Sequence, residues 1–178
     1  MPEHATPSLA AWSSFYVMIG SSAAALTGLM FVVITLITRS EMPARRDGIA
    51  TFSTPTVLHF CVALFVSAVL CAPWPSLVAP AALIGLAGLG GVVYQLRVLR
   101  LARHMTLYVP DTEDWVWYTI LPFVAACAML GGAVALALAP AQALYAIAAS
   151  ALLLIFIGIR NAWDVVTFLA TRGPPPPA

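Results

Sequence analysis

Few side chains in this sequence could do chemistry, and they are thinly spread. His59 is the one ionisable residue within a long apolar stretch, little more than one turn from its start. Such a residue can relay a proton, bind a ligand or hydrogen-bond a neighbouring helix, and in a membrane segment it is a functional suspect by default. Gln95 lies in another apolar stretch and could serve as its partner. Ser14, Ser21, Gly28 and Thr35 recur every seven residues. Seven residues are nearly two helical turns, so the four share one helix face. A small, hydroxylated face either packs against another helix or lines a polar path built from several copies.

Other constellations are weak. Asp111, Glu113 and Asp114 cluster as catalytic carboxylates do, but they also sit where a helix starts. Capping and the helix dipole explain them without chemistry. The sequence has no Ser-His-Asp set, no His-x-x-x-His pair and no Cys-x-x-Cys. His4 and His104 fall outside the apolar stretches, so the paired histidines of a haem site are lacking. No acid lies within an apolar stretch, which removes a carboxylate proton relay and an acid-ringed cation pore. The expectation is therefore no catalytic residue, no metal ligand and no cofactor.

The elements that must position these residues are set by composition. Of 178 residues, 62% are hydrophobic and 8% charged. A soluble domain carries about a quarter charged residues, so the natural solvent for this chain is a bilayer. About 20 apolar residues cross a hydrocarbon core of about 30 Å. Five such spans fit, at about 15–37, 55–72, 77–96, 115–139 and 141–159. Together they fill a single transmembrane domain, 1–172, followed by a disordered Pro-rich tail, 173–178. The fold class is all-α, a polytopic membrane helix bundle.

Local signals mark the breaks. Thr54-Pro55 reads as a capped start of the second span, and Pro73-Trp74-Pro75-Ser76 as its stop. Ser76 can cap the third helix, which continues past the membrane along Arg97, Arg100 and Arg103. Asp111 or Thr112 can cap the fourth. Trp115 to Ile159 would be about 67 Å as one helix, so the chain must fold back near Pro140. The tail beyond Arg160 extends the fifth helix along the interface. The N-terminus has no basic stretch ahead of its first apolar run, which speaks against a cleaved signal peptide.

Orientation follows from the arginines, which supply all eight basic charges. With five spans, Arg39/Arg45/Arg46, Arg97/Arg100/Arg103 and Arg160/Arg172 fall on one side. The positive-inside rule makes that side cytoplasmic and the N-terminus external. Trp115, Trp117, Tyr118 and Trp163 would then sit at the inner interface, Trp12 and Trp74 at the outer one. Net charge of +1 gives no case for nucleic acid. Cys61, Cys71 and Cys127 lie in apolar segments at different depths and do not suggest a disulfide framework.

Small residues four apart let helix backbones approach closely. The candidates are Gly20, Ala24 and Gly28 in the first helix, Ala87 and Gly91 in the third, and Cys127, Gly131, Ala135 and Ala139 in the fourth. Whichever face of the first helix is buried, Gly28 is expected at a close crossing.

The run Gly20-Ser21-Ser22-Ala23-Ala24-Ala25-Leu26-Thr27-Gly28-Leu29-Met30-Phe31-Val32, preceded by Ala11-Trp12 and Phe15, resembles the opening of a family of small multi-pass bacterial membrane proteins without established function. Asn161-Ala162-Trp163 is similar to the end of their last helix. The resemblance implies a bacterial inner (plasma) membrane location and transfers no site residue. The functional expectation is a non-enzymatic membrane protein acting through helix–helix association, with itself or as an accessory subunit of a membrane complex. A small channel or transporter, with the first helix lining a polar path near His59 and Gln95, is the alternative. A membrane enzyme comes third.

Overall fold

The computed structural model describes residues 9–39, 46–102 and 112–171. Those residues form α1 (Leu9–Arg39), α2 (Arg46–Cys71), α3 (Val78–Ala102), a short α4 (Thr112–Trp115), a π-helical turn (Val116–Ile120), α5 (Leu121–Ala135) and α6 (Pro140–Thr171). Among the described residues there is no strand, so the fold is all-α. Four helical stretches are long and apolar enough to cross a membrane: Leu9–Thr35, Val78–Arg100, Val116–Ala135 and Pro140–Thr167. Pro55–Cys71 is a shorter apolar stretch.

α1 is longer than the expected span and begins at Leu9, so Ser14 lies inside it. It buries Tyr16, Ile19, Ala23 and Met30, which share one side of a 3.6-residue helix. That side lies against α2 in antiparallel fashion, with a Cβ built on Gly20 only 3.0 Å from Ser67 Cβ. The Tyr16 hydroxyl crosses to the Leu144 carbonyl of α6 at 3.4 Å.

α2 departs most from expectation. The helix does not start at Thr54-Pro55: residues 46–54 are already helical, and Pro55 lies inside the helix. Proline there cannot donate to the carbonyl four residues back, so the Thr51 carbonyl loses its intrahelical donor near the polar end of the helix. At the other end the break is as read. The Trp74 indole N–H donates to the Val69 carbonyl at 2.6 Å, satisfying one of the carbonyls a helix terminus leaves over.

α3 continues beyond Gln95 through Arg97 and Arg100, as the arginine spacing suggested. The fourth expected span is built from three pieces. Leu121 N–H donates to the Val116 carbonyl, one residue beyond the usual helical step. The widening sits directly before Pro122, which has no N–H to offer the turn behind it. α5 then ends at Ala135 rather than Ala139. A tight turn follows, with Leu138 N–H bonded to Ala135 O at 3.0 Å and Ala139 N–H to the same carbonyl at 2.8 Å.

α6 is the axis of the bundle. It packs on α2 and α5 and more lightly on α1, and over half of its apolar stretch is buried. α1 flanks α2 on one side; α3 flanks α5 on the other. α2 and α3 follow one another in sequence yet scarcely touch. Close crossings recur where a side chain is missing: Gly88 against the Leu130 backbone, Gly91 against Ala126, Gly132 against Ile147 and Gly158 against Phe60. In lipid there is little hydrophobic gain from joining helices, so such close packing supplies much of the attraction.

The antiparallel pairings put the helix ends at Arg39, Arg46, Arg97, Arg100 and Arg160 at one end of the bundle, and the turns at Pro73–Ser76 and Leu136–Ala139 at the other. The N-terminal eight residues, Arg45, Arg103, Asp111, Arg172 and the Pro-rich tail lie outside the described residues.

Candidate functional site

The polar residues of the core gather toward the arginine end. α2 turns Thr56, His59, Phe60 and Ala63 inward, at the spacing of a single helix face. α3 turns Ile84, Gly88 and Gln95 inward in the same way, with Gly91 on that side. His59 and Gln95 line one cavity of about 40 Å³ between α2, α3, α5 and α6, together with Tyr94, Pro122, Ala126 and Leu154. The expected partnership is thus half realised. The two share a cavity, but His59 Nδ1 and Gln95 Oε1 are both buried without a hydrogen-bond partner. His59 lies about one turn inside the apolar stretch Pro55–Cys71, with the polar start of α2 extending beyond it.

Asn161 was read as part of an interfacial tail. It is fully buried on α6, and both atoms of its amide lack partners. It follows Leu154 by seven residues and Ile157 by four, so it belongs to the same buried face, and that spacing was the signal available in the sequence. Thr56, also fully buried, was likewise not singled out. Gly158 meets Phe60 across α6 and α2, and the antiparallel pairing carries Asn161 and Thr56 to a similar depth one turn further on. Two buried serines nearer the proline end bond to their own helix. Ser67 donates to Ala63 O and Ser150 to Ala146 O, each at 2.8 Å.

At the rim, Arg160 pairs with Glu113 of α4 and with Asp164 of its own helix. Its guanidinium also lies over the Trp117 ring, 5.8 Å from the centroid. Glu113 therefore serves as an ion-pair partner that ties α4 to α6. Its side chain is largely exposed, and such pairs contribute about 0–1 kcal/mol. Among the described residues no group of His, Cys, Asp and Glu is placed to hold a metal ion. Cys61, Cys71 and Cys127 are free and exposed.

The small-residue faces need correction. Gly28 is not at a crossing within the chain: a Cβ built there meets nothing within 4 Å, and the same holds for Gly131. Cys127 is exposed too. The four-residue spacing was real, but on α5 the buried small face is Ala125, Ala126, Gly132 and Ala133, about 100° round from Gly131 and its companions. Of the expected contacts, Gly20 and Gly91 make close crossings, and Ala87 lines the cavity. Ala24 is exposed. Ser14, Ser21, Gly28 and Thr35 all face outward, the Thr35 hydroxyl folding back onto Phe31 O at 2.8 Å. Ser21 and Ala24 also border an open groove of about 300 Å³ between α1 and α2, floored by Gly20 and Ser67.

The chain matches no protein-family model, no curated protein and no solved structure.

Proposed function

We propose that this protein is a five-span bacterial inner-membrane bundle that acts through helix–helix association on the outward face of α1, with its own copies or as an accessory subunit. The observation that carries this reading is that Ser14, Ser21, Gly28 and Thr35 face outward with nothing from the same chain near Gly28. Six other glycines among the described residues sit against a neighbouring helix, while Gly90 and Gly131 are bare as well. A lipid-facing helix gains nothing from a small face, whereas a second helix can approach it closely. The groove beside that face offers room for side chains of a partner. The fifth span is α2: its apolar stretch Pro55–Cys71 measures about 25 Å at the helical rise and comes within about one turn of a hydrocarbon core, the helix continuing to Arg46.

Gly28→Leu should leave the thermal stability of the monomer within about 2 °C, since a side chain there meets only lipid or detergent. Its oligomer or hetero-complex, read by crosslinking and size in native-membrane nanodiscs, should be lost. A Gly28→Leu protein as fully assembled as wild type overturns the association reading. The alternative of a small channel draws on the hydroxyls of the same outward face, which copies arranged in a ring would turn inward. Within one chain, the core between the His59/Gln95 cavity and the proline end includes Ile84, Met129, Leu144 and Ile147, and the hydroxyls of the buried Ser67 and Ser150 are turned back onto their own helices. Ion flux through a closed homo-oligomer in liposomes would favour the channel.

Topology is tested separately. Reporters fused after Arg172 should read as cytoplasmic and insertions within 74–76 as periplasmic, because the arginines are retained inside. A periplasmic reporter after Arg172 contradicts the five-span reading.

A further inference from the structure

The cavity at His59 and Gln95 has a partner chemistry of its own, independent of what α1 binds. Both side chains are more than nine-tenths buried, at 5% and 4% exposure. They belong to different helices and face the same space. Each brings an orphaned polar atom, His59 Nδ1 and Gln95 Oε1. Ser67 and Ser150 answer burial by bonding to their own helix, a route that serves a short hydroxyl. An imidazole or a long amide aimed into a cavity needs a partner from outside its helix. Buried polar atoms of this kind are regularly met by ordered water.

We propose that this cavity is a hydration site, in which one or two water molecules bridge His59 Nδ1 on α2 to Gln95 Oε1 on α3. The volume fits. A water needs about 10–15 Å³ by this measure, and the cavity offers about 40 Å³. The hydrogen bonding fits as well. Water donates one hydrogen to Gln95 Oε1; at Nδ1 it accepts from the N–H tautomer or donates to the bare nitrogen. A purely apolar cavity of similar size stays dry, whereas two residues that line this one, from different helices, each carry a buried polar atom without a partner. The location gives the water a structural task. α2 and α3 scarcely touch along their length, so the bridge is the polar tie between two helices that direct packing leaves apart.

The test uses the full chain in nanodiscs with ring-labelled histidine. His59 is assigned by the loss of its signal in His59→Leu. In water-edited solid-state NMR, the His59 ring should receive magnetisation from water at a rate well above that of a buried apolar residue away from the cavity, Val66, read in a valine-labelled sample. Thermal stability supplies a second readout through a double-mutant cycle. His59→Leu and Gln95→Met each leave one polar atom facing an apolar wall and should each lower Tm by about 5 °C. The double variant removes both unpartnered polar atoms, so it should regain most of the summed loss; in Gln95→Met alone, the transfer to His59 should fall. Absence of transfer in the wild-type protein overturns the hydration site. So does a double variant whose Tm loss equals the sum of the two single losses.

Discussion

Gly88→Ala should lower the melting temperature by about 10 °C, with no compensating substitution able to restore it. A Cβ on Gly88 would lie 2.8 Å from Leu130 N and 2.9 Å from Leu130 Cα. Those atoms belong to the backbone of α5, which cannot be trimmed by mutation. The added methyl must therefore separate α3 from α5 along a whole crossing, and the neighbouring contacts at Gly85 and Gly91 loosen with it. Overpacking typically costs about 1–3 kcal/mol, and a backbone obstacle belongs at the upper end of that range. Leu130→Ala in the same chain should give no relief. Gly90→Ala is the control. Gly90 has nothing within 4 Å of a built Cβ, and alanine favours a helix over glycine by about 1 kcal/mol. Equal melting temperatures for Gly88→Ala and Gly90→Ala would remove the α3–α5 crossing from this account.

Gly158→Ala should cost about 2 kcal/mol by the same overpacking, but here the loss can be repaired. The built Cβ overlaps Cε1 of Phe60 and lies 2.7 Å from Cζ. The obstacle is a ring, buried to 1% exposure and unable to swing into lipid. Phe60→Leu removes the ring edge while filling most of the volume. On its own it should destabilise mildly; combined with Gly158→Ala it should give a protein more stable than Gly158→Ala alone. Thermal melts of the four proteins in detergent read this coupling directly. Strictly additive losses would mean that the two residues do not meet. The contrast with Gly88 is one of atom type: a side-chain obstacle can be exchanged, a main-chain obstacle cannot.

The same distinction explains what could be read from the sequence. Helical breaks at Pro73–Ser76 and before Pro140 were legible, because proline forbids a local conformation wherever it stands outside the first turn. Pro55 misled for the converse reason: it is compatible with a helix start, and the sequence alone did not reveal that α2 already runs through residues 46–54. Small-residue spacing identified the right helices but not the right faces. Gly20 and Gly91 are crossings while Gly28 and Gly131 are bare, and one residue of offset turns a side chain by 100°. In an all-apolar helix the lipid face and the protein face are equally hydrophobic, so no polar contrast fixes that angle. His59 and Gln95 were found because polar residues stand out against such a background. Asn161 was missed because it lies beside Arg160, where a membrane boundary was drawn too early. The shared cavity itself depends on four helices and has no counterpart in any single stretch of sequence.

The central place of α6 bears on how the protein is made. The chain is synthesised from its N-terminus, so α1, α2, α3 and α5 are made before the helix around which they are arranged. Until α6 arrives, Phe60 has no Gly158 to close upon, Gly132 faces no Ile147, and the Tyr16 hydroxyl lacks the Leu144 carbonyl. The inward flank of α2 with His59 and Phe60 likewise lacks its main cover until the last helix is made. The bundle therefore closes only at the end of synthesis, and a chain cut short before Pro140 would lack every contact that α2 and α5 make with α6.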